Sequence, residues 1–128
     1  MARILVVDND AGTRVVMRAI LEQDGFVNEE APSGTAALDA VRGGAPDLIL
    51  LDLMMPGVDG YEFLRRLRAD PKNGTTPVVV ISAKGATERG EALAAGADDY
   101  FEKPFSPLAL LRVVEATLGP EAAAAGRP

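Results

Sequence analysis

Two carboxylates, a hydroxyl and a lysine close four short runs of the chain: Asp8 after Ile4-Leu5-Val6-Val7, Asp52 after Leu48-Ile49-Leu50-Leu51, Ser82 after Val78-Val79-Val80-Ile81, and Lys103 after Asp99-Tyr100-Phe101-Glu102. Short unbroken apolar runs bounded by turn signals read as strands buried on both faces. In a doubly wound parallel sheet the carboxyl ends of the strands share one edge, so side chains remote in sequence converge there. Two carboxylates held about 4 Å apart repel by on the order of 4 kcal/mol at an effective dielectric near 20, so such a pair must be protonated or neutralised. Oxygen ligands and an open rim point to Mg²⁺ (or Mn²⁺), which binds a few carboxylates and keeps several waters. A cation, an ammonium group and a hydroxyl around Asp52 match what phosphoryl transfer onto that carboxylate needs, since the charge to be stabilised spreads over three oxygens.

Each residue also has a plainer role open to it. Asp8 and Asp10 can cap the helix that follows, and Asp52 can cap a turn. Ser82 can be a satisfied hydroxyl and Lys103 a solvated lysine. The coincidence of all four at strand ends favours the site. Histidine and cysteine are both absent. That removes Ser-His-Asp, Cys-His and zinc-hydrolase schemes, together with disulfides.

The 128 residues fit one domain, and 48% apolar with 25% charged residues is a globular composition. No apolar run approaches the roughly 20 residues a membrane helix needs. The amino terminus reads as a strand rather than a signal peptide, so no membrane association and a cytoplasmic setting are expected. The net charge is −6, with the basic residues scattered, which argues against direct nucleic-acid binding. Only three of the 13 basic residues are lysines.

The positioning elements follow in chain order. Arg3 to Asp8 reads as a strand. A helix then opens at Asp10 or Gly12, with Val15, Val16, Ala19, Ile20 and Gln23 at three- and four-residue steps, and stops at Gly25. A more polar strand, suited to an edge, runs from Phe26 to Ala31. Helix Thr35–Arg42 turns Ala37, Leu38 and Val41 inward. The central strand ends at Asp52 and is followed by the Pro/Gly-rich turn Met54-Met55-Pro56-Gly57-Val58-Asp59-Gly60. A third helix spans Gly60–Ala69, a strand Pro77–Ser82, a helix Glu88–Ala95 and a strand Asp99–Glu102. The last helix, Pro107–Leu118, carries Leu108, Leu111, Val114 and Leu118 on one stripe. Five strands alternating with five helices spell an α/β doubly wound fold. Residues 1–119 form the domain, and residues 120–128 a short C-terminal tail or the start of a linker.

The ordered set VVDND at Asp8, LLDLMMPGVDG around Asp52, VVVISAK at Ser82 and AGADDYFEKPF at Lys103 resembles the receiver domain of two-component response regulators, from Arg3 to about Leu118. The resemblance implies a flavodoxin-like five-stranded parallel sheet of order 2-1-3-4-5 with helices on both faces. It implies that Asp52 is the phosphoacceptor, served by a sensor histidine kinase or a histidine phosphotransfer protein. Asp8, Asn9, Asp52 and the backbone carbonyl of Met54 would hold the cation. Lys103 would pair with the phosphoryl oxygens, and the Lys103–Pro104 peptide would be cis. Ser82 and Tyr100 stand at the switch positions: as Ser82 moves in toward the phosphoryl group, Tyr100 turns inward. Met54 and Lys84 are the rim residues that tune loss of the phosphoryl group, and bulky Met54 should make the phosphoprotein long-lived. The protein would be a switch rather than an enzyme, catalysing only its own phosphorylation and slow dephosphorylation. It would signal through its fourth helix, fifth strand and last helix to an effector or a missing output domain, as a monomer or a weak dimer through that face. Kinase specificity would lie on the first helix, including Thr13, Arg14 and Met17.

Three features depart from the family pattern. Asn9 stands where a second acid is usual, and the Ser82–Gly96 stretch is one residue short, which would tighten the loop of Lys84 and Gly85. The residue after Asp52 is Leu53, and the chain has no tryptophan to report binding by fluorescence. Asn9 leaves a pseudo-receiver open, a protein-binding module that is not phosphorylated. A carboxylate-based phosphatase is disfavoured, because Met54 stands where its second acid would be. With one formal charge fewer, wild type should bind Mg²⁺ more weakly than Asn9→Asp. Titration of the metal into both proteins checks this, and equal affinities would refute it.

Overall fold

The strands are β1 Arg3–Val7, β2 Val27–Ala31, β3 Leu48–Leu51, β4 Val78–Ser82 and β5 Asp99–Glu102 in the computed structural model of the chain, which describes residues 2–54 and 59–119. All pair in parallel, in the order β2-β1-β3-β4-β5. The helices are α1 Ala11–Gln23, α2 Gly34–Arg42, α3 Gly60–Ala69, α4 Arg89–Ala94 and α5 Pro107–Leu118. This is the expected flavodoxin-like α/β sandwich. Residues 55–58 of the Pro/Gly-rich turn and the tail at 120–128 lie outside the described residues.

Burial on two faces explains the unbroken apolar strands. On one face Leu5, Val7, Ile49 and Leu51 meet Leu38 of α2 and Phe63 and Leu64 of α3. On the other, Ile4, Val6, Leu48 and Leu50 meet Met17 and Leu21 of α1 and Leu110 and Val114 of α5. Phe63 is fully buried, and truncating such a side chain costs about 3–5 kcal/mol. The polar strand is indeed an edge: Glu29 and Glu30 of β2 pair with Arg3 and with Arg14 and Arg18. Asp10, Ser33, Asp59 and Ser106 each accept a backbone N–H in the first turn of α1, α2, α3 and α5. α4 has no such side-chain cap; it follows a single 3₁₀ turn, Ala86–Glu88, and is six residues long.

The stripe of α1 lies largely elsewhere than expected, and that of α5 differs at its first residue. α1 buries Met17, Ile20 and Leu21, while Val15 and Val16 are about half exposed. α5 buries Leu110 and Val114 with Leu111 and Leu118 packed against the same core, as expected, whereas Leu108 is 58% exposed. Both helices are apolar over much of their circumference, so three- and four-residue spacing fits more than one stripe. Docking on the sheet selects among them.

The edge of the sheet away from Asp52 is tied by Arg68 of α3. Its Nε donates to the Gly96 carbonyl at 2.9 Å, and Nη1 donates to Gly74 at 3.0 Å and Thr76 at 2.6 Å. Nη2 pairs at 3.1 Å with Asp98, whose carboxylate also accepts the Val78 N–H at 2.7 Å. Gly96 has φ +115°, and a Cβ there would lie 3.0 Å from Arg68 Cγ, so glycine serves both the turn and the approach. Arg68→Ala should lower stability by about 2–3 kcal/mol, since it orphans several acceptors at once. Urea unfolding should show a lower midpoint with an unchanged m value. Arg68→Lys should recover less than half of the loss, because a point charge cannot reproduce the guanidinium fork.

Candidate functional site

β1 and β3 are neighbours with Val7 opposite Leu51, so Asp8 and Asp52 leave the sheet side by side. Their main chains continue the ladder for one residue, Asp52 N–H to Val7 at 2.9 Å and Asp8 N–H to Ala31 at 3.1 Å. Both carboxylates are buried, at 2% exposure for Asp8 and 7% for Asp52. Lys103 enters from the end of β5, where its N–H donates to the Ser82 carbonyl at 2.9 Å. Its Nζ donates to Asp8 Oδ2 at 2.9 Å and lies 3.6 Å from Asp52 Oδ2, an ion pair too long for a hydrogen bond. The Lys103–Pro104 peptide is cis.

A residue that sequence reasoning passed over sets the position of Asp52. Gly60 opens α3 directly against the loop that carries the carboxylate. A Cβ on it would lie 2.4 Å from Leu53 Cα and 2.7 Å from the Asp52 carbonyl oxygen. Backbone can approach backbone this closely only at glycine. The Asp59-Gly60 pair was legible as a turn, but close contact leaves no local signal. On the other side, the Met54 N–H donates to Asp52 Oδ1 at 3.0 Å.

Burial raises the pKa of Asp52 above the ordinary carboxylate value, and the charge of Asp8 adds to it; the Met54 N–H and Lys103 pull the other way without cancelling the rise. Burial alone would lower the pKa of Lys103, but Asp8 and Asp52 together outweigh it and hold the ammonium above its usual range. Two buried carboxylates against one ammonium leave one negative charge uncompensated. That donor set fits Mg²⁺, which takes one or two carboxylates and fills its shell with water and carbonyls. No group of three or more His, Cys, Asp or Glu side chains converges among the described residues.

The remaining candidates separate into those near Asp52 and those turned elsewhere. Asn9 is exposed in the turn after β1. Asp10 takes its capping role: its Oδ2 accepts the Thr13 N–H at 2.9 Å and the Thr13 hydroxyl at 2.6 Å, and these bonds lower its pKa. Its own N–H donates to Asp8 Oδ1 at 2.9 Å. Met54 is half exposed on the rim. Ser82 is fully buried, and its hydroxyl donates to Glu88 Oε1 at 2.8 Å. Lys84 Nζ lies 3.6 Å from the other oxygen of Glu88. The Tyr100 ring is already buried, its hydroxyl donating to the Gly85 carbonyl at 2.6 Å. Glu88 is the second missed residue, read from sequence only as a helix start. On α1, Met17 is 2% exposed and does not belong to a recognition face, because the helix seats that side on the sheet. Val15 and Val16 face outward instead, and Arg14 is half-buried, donating to the Asp8 carbonyl at 2.6 Å. No helix among the described residues is long and apolar enough to cross a membrane.

Comparison with known proteins agrees with this geometry. The sequence model described as response regulator receiver domain matches residues 4–115. The phosphate regulon transcriptional regulatory protein PhoB of Escherichia coli is 41% identical over 117 residues, covering 91% of this chain and 51% of that protein. The DNA-binding response regulator MtrA of Mycobacterium tuberculosis is 45% identical over 117 residues, covering 91% of this chain and 50% of that protein. The chain thus spans about half the length of the curated relatives it matches. Among solved structures, the chemotaxis protein CheY4 of Vibrio cholerae superposes with a TM-score of 0.86 at 29% identity, over 91% of this chain and 98% of that one. The receiver domain of the Pseudomonas aeruginosa sensor histidine kinase PA1611, described with a magnesium ion in its active-site cleft, gives 0.85 at 28% identity, over 92% and 98%.

The raised pKa of Asp52 has a consequence for stability. A carboxyl with a higher pKa folded than unfolded favours the fold below the unfolded value and loses that contribution as pH rises through the folded one. Ionised Asp52 therefore works against folding at neutral pH. Asp52→Asn should raise Tm at pH 7 in metal-free buffer by roughly 3–5 °C. The gain should shrink as pH falls through the acid range and vanish below about pH 3, where the acid is protonated in both states. Thermal melts of both proteins at the two pH values check this, and a lower Tm for the variant at pH 7 would contradict it.

Proposed function

This chain belongs to the response regulator receiver domain family, and on that footing we propose that it is a phosphoacceptor switch whose Asp52 takes a phosphoryl group from a phosphohistidine. The donor is a sensor histidine kinase or a histidine phosphotransfer protein. The observation that carries this reading is the Lys103 ammonium lying against both buried carboxylates, 2.9 Å from Asp8 and 3.6 Å from Asp52. That is a preorganised positive centre where charge develops in the transfer.

In the proposed reaction an Asp52 oxygen attacks phosphorus as the P–N bond to the imidazole breaks, and the bonding pair stays on nitrogen. Lys103 neutralises the incoming phosphoryl oxygens while it remains bonded to Asp8. Asp8, Asn9, Asp52 and the Met54 carbonyl would hold Mg²⁺ or Mn²⁺. When bound, the cation supplies further positive charge to the transferring oxygens. Met54 at the rim obstructs the water that would hydrolyse the product, which favours a long-lived phosphoprotein. Lys84 contributes through Glu88, the group its ammonium meets.

Val15 and Val16 form an exposed apolar stripe on α1, leading to the groove between Thr13, Val16 and Pro104 beside the acidic pair. They are the surface on which the donor docks. The signal leaves through α4, β5 and α5, where Leu108 and Val113 border a surface groove with Arg89 and Arg112. Its receiver is a downstream effector, an output domain, or a second copy in a weak dimer. The pseudo-receiver reading draws only on Asn9, the amide beside Asp8. Incubation with acetyl phosphate and Mg²⁺, followed by intact mass, separates the two. The switch predicts a gain of about 80 Da, one phosphoryl group, lost in Asp52→Ala and on removal of the metal. No gain in wild type would support the binding module.

A further inference from the structure

The hydroxyl side of the site rests on an acid that no motif singles out. Glu88 closes the 3₁₀ turn before α4 and is only 6% exposed. Carboxylates are seldom buried this far unless they are paired. Its two oxygens have different partners: Oε1 accepts the Ser82 hydroxyl at 2.8 Å, and Oε2 lies 3.6 Å from Lys84 Nζ. Ser82 Oγ in turn accepts the Lys84 N–H at 3.2 Å. A serine has one proton to donate, and here a carboxylate holds it, in a bond stronger than one between neutral groups. Tyr61 at the start of α3 packs against the apolar cluster that includes Ala92 of α4 and Tyr100 of β5, and its buried hydroxyl has no hydrogen-bond partner among the described residues. Burial first, and then the charge of Glu88, push its pKa up to about 12, so the hydroxyl keeps its proton and sits within the field of that carboxylate.

Building on the phosphoacceptor reading, we propose that Glu88 is the positioning residue of the switch, holding the Ser82 proton in the unphosphorylated state and exchanging Ser82 for Tyr61 when Asp52 is phosphorylated. The exchange breaks the Ser82 Oγ–H···Oε1 bond and forms Oγ–H to a phosphoryl oxygen on Asp52. The vacated Oε1 then accepts the Tyr61 Oη–H. Every proton stays on its own oxygen. Without the second step, departure of Ser82 would leave a buried carboxylate oxygen short of a donor, which is the costly way to lose a hydrogen bond. With it, the buried Tyr61 hydroxyl gains the partner it lacks in the resting state. Lys84 stays on Oε2 throughout.

The test uses the full chain with acetyl phosphate and Mg²⁺, following the rate of mass gain. Glu88→Gln weakens the acceptor and should speed phosphorylation about threefold, while Glu88→Ala removes it and should speed it about tenfold, because the resting state loses its latch. Tyr61→Phe should slow the reaction about threefold without lowering the Tm of the unphosphorylated protein, since the deleted hydroxyl makes no bond there. In a Ser82→Ala background the Glu88 effects should disappear, which a merely structural role would not predict. Rates equal to wild type, or an acceleration that persists without the Ser82 hydroxyl, would overturn the proposal. If wild type gains no mass, the phosphoacceptor reading fails by itself. The positioning claim is then decided in the free protein by NMR couplings across Ser82 χ1: one rotamer in wild type with averaging in Glu88→Ala upholds it, and an unchanged single rotamer in the variant overturns it.

Discussion

Two carboxylates buried side by side at the edge of an apolar sheet repel each other, and most of the molecule answers to that repulsion. Neither acid is where folding alone would put it, since each loses its hydration and faces a like charge. The fold tolerates the pair because the Lys103 ammonium spans both, arriving from the end of β5, two places from β3 and three from β1 in the sheet. The same imbalance that strains the resting state supplies an appetite for positive charge. A divalent cation is the kind of group that answers it, in keeping with an oxygen donor set of this composition.

Holding that arrangement requires rigidity at both ends of the strands, and the two ends achieve it differently. Near Asp52, α3 begins in direct backbone contact with the Asp52–Leu53 segment, possible because residue 60 has no side chain. At the far end, one guanidinium gathers three carbonyls and a carboxylate from the loops leading into β4 and β5. Between them β3 is buried along its whole length. The carboxylate at its tip therefore sits on the least deformable part of the sheet.

The α4 side is built with less reinforcement. Its helix is six residues long, starts from a 3₁₀ turn and has no side-chain cap, whereas the other four helices each have one. Stability is lowest where caps and buried contacts are fewest, and elements that must move are drawn from such regions. Ser82, Glu88, Lys84 and the Tyr100 hydroxyl form their polar contacts here, so a change in one bond is felt by a segment that can shift. Glu62 lies outside this cluster: its carboxyl is held down to about 2 by Arg65 and Arg66 on the exposed face of α3.

Local information was enough for the strands, their order of appearance, the helix bounds to within a residue or two, and the placing of Asp8, Asp52, Ser82 and Lys103 at strand ends. Each of these follows from contiguous patterns, apolar runs and turn residues, that act within a few positions of themselves. The inward face of α1 was misplaced at Val15 and Val16 and that of α5 at Leu108 alone, because a helix apolar on several sides carries no internal mark of which side meets the sheet. Gly60 and Glu88 escaped notice for a related reason. The need for glycine at 60 comes from a backbone eight residues earlier, and the burial of Glu88 comes from a turn folding it under Ser82. The sequence by itself determined which chemical groups the protein has and on which strands they ride. Only tertiary structure decided which of them touch, because contact across a sheet is settled by packing and not by spacing along the chain.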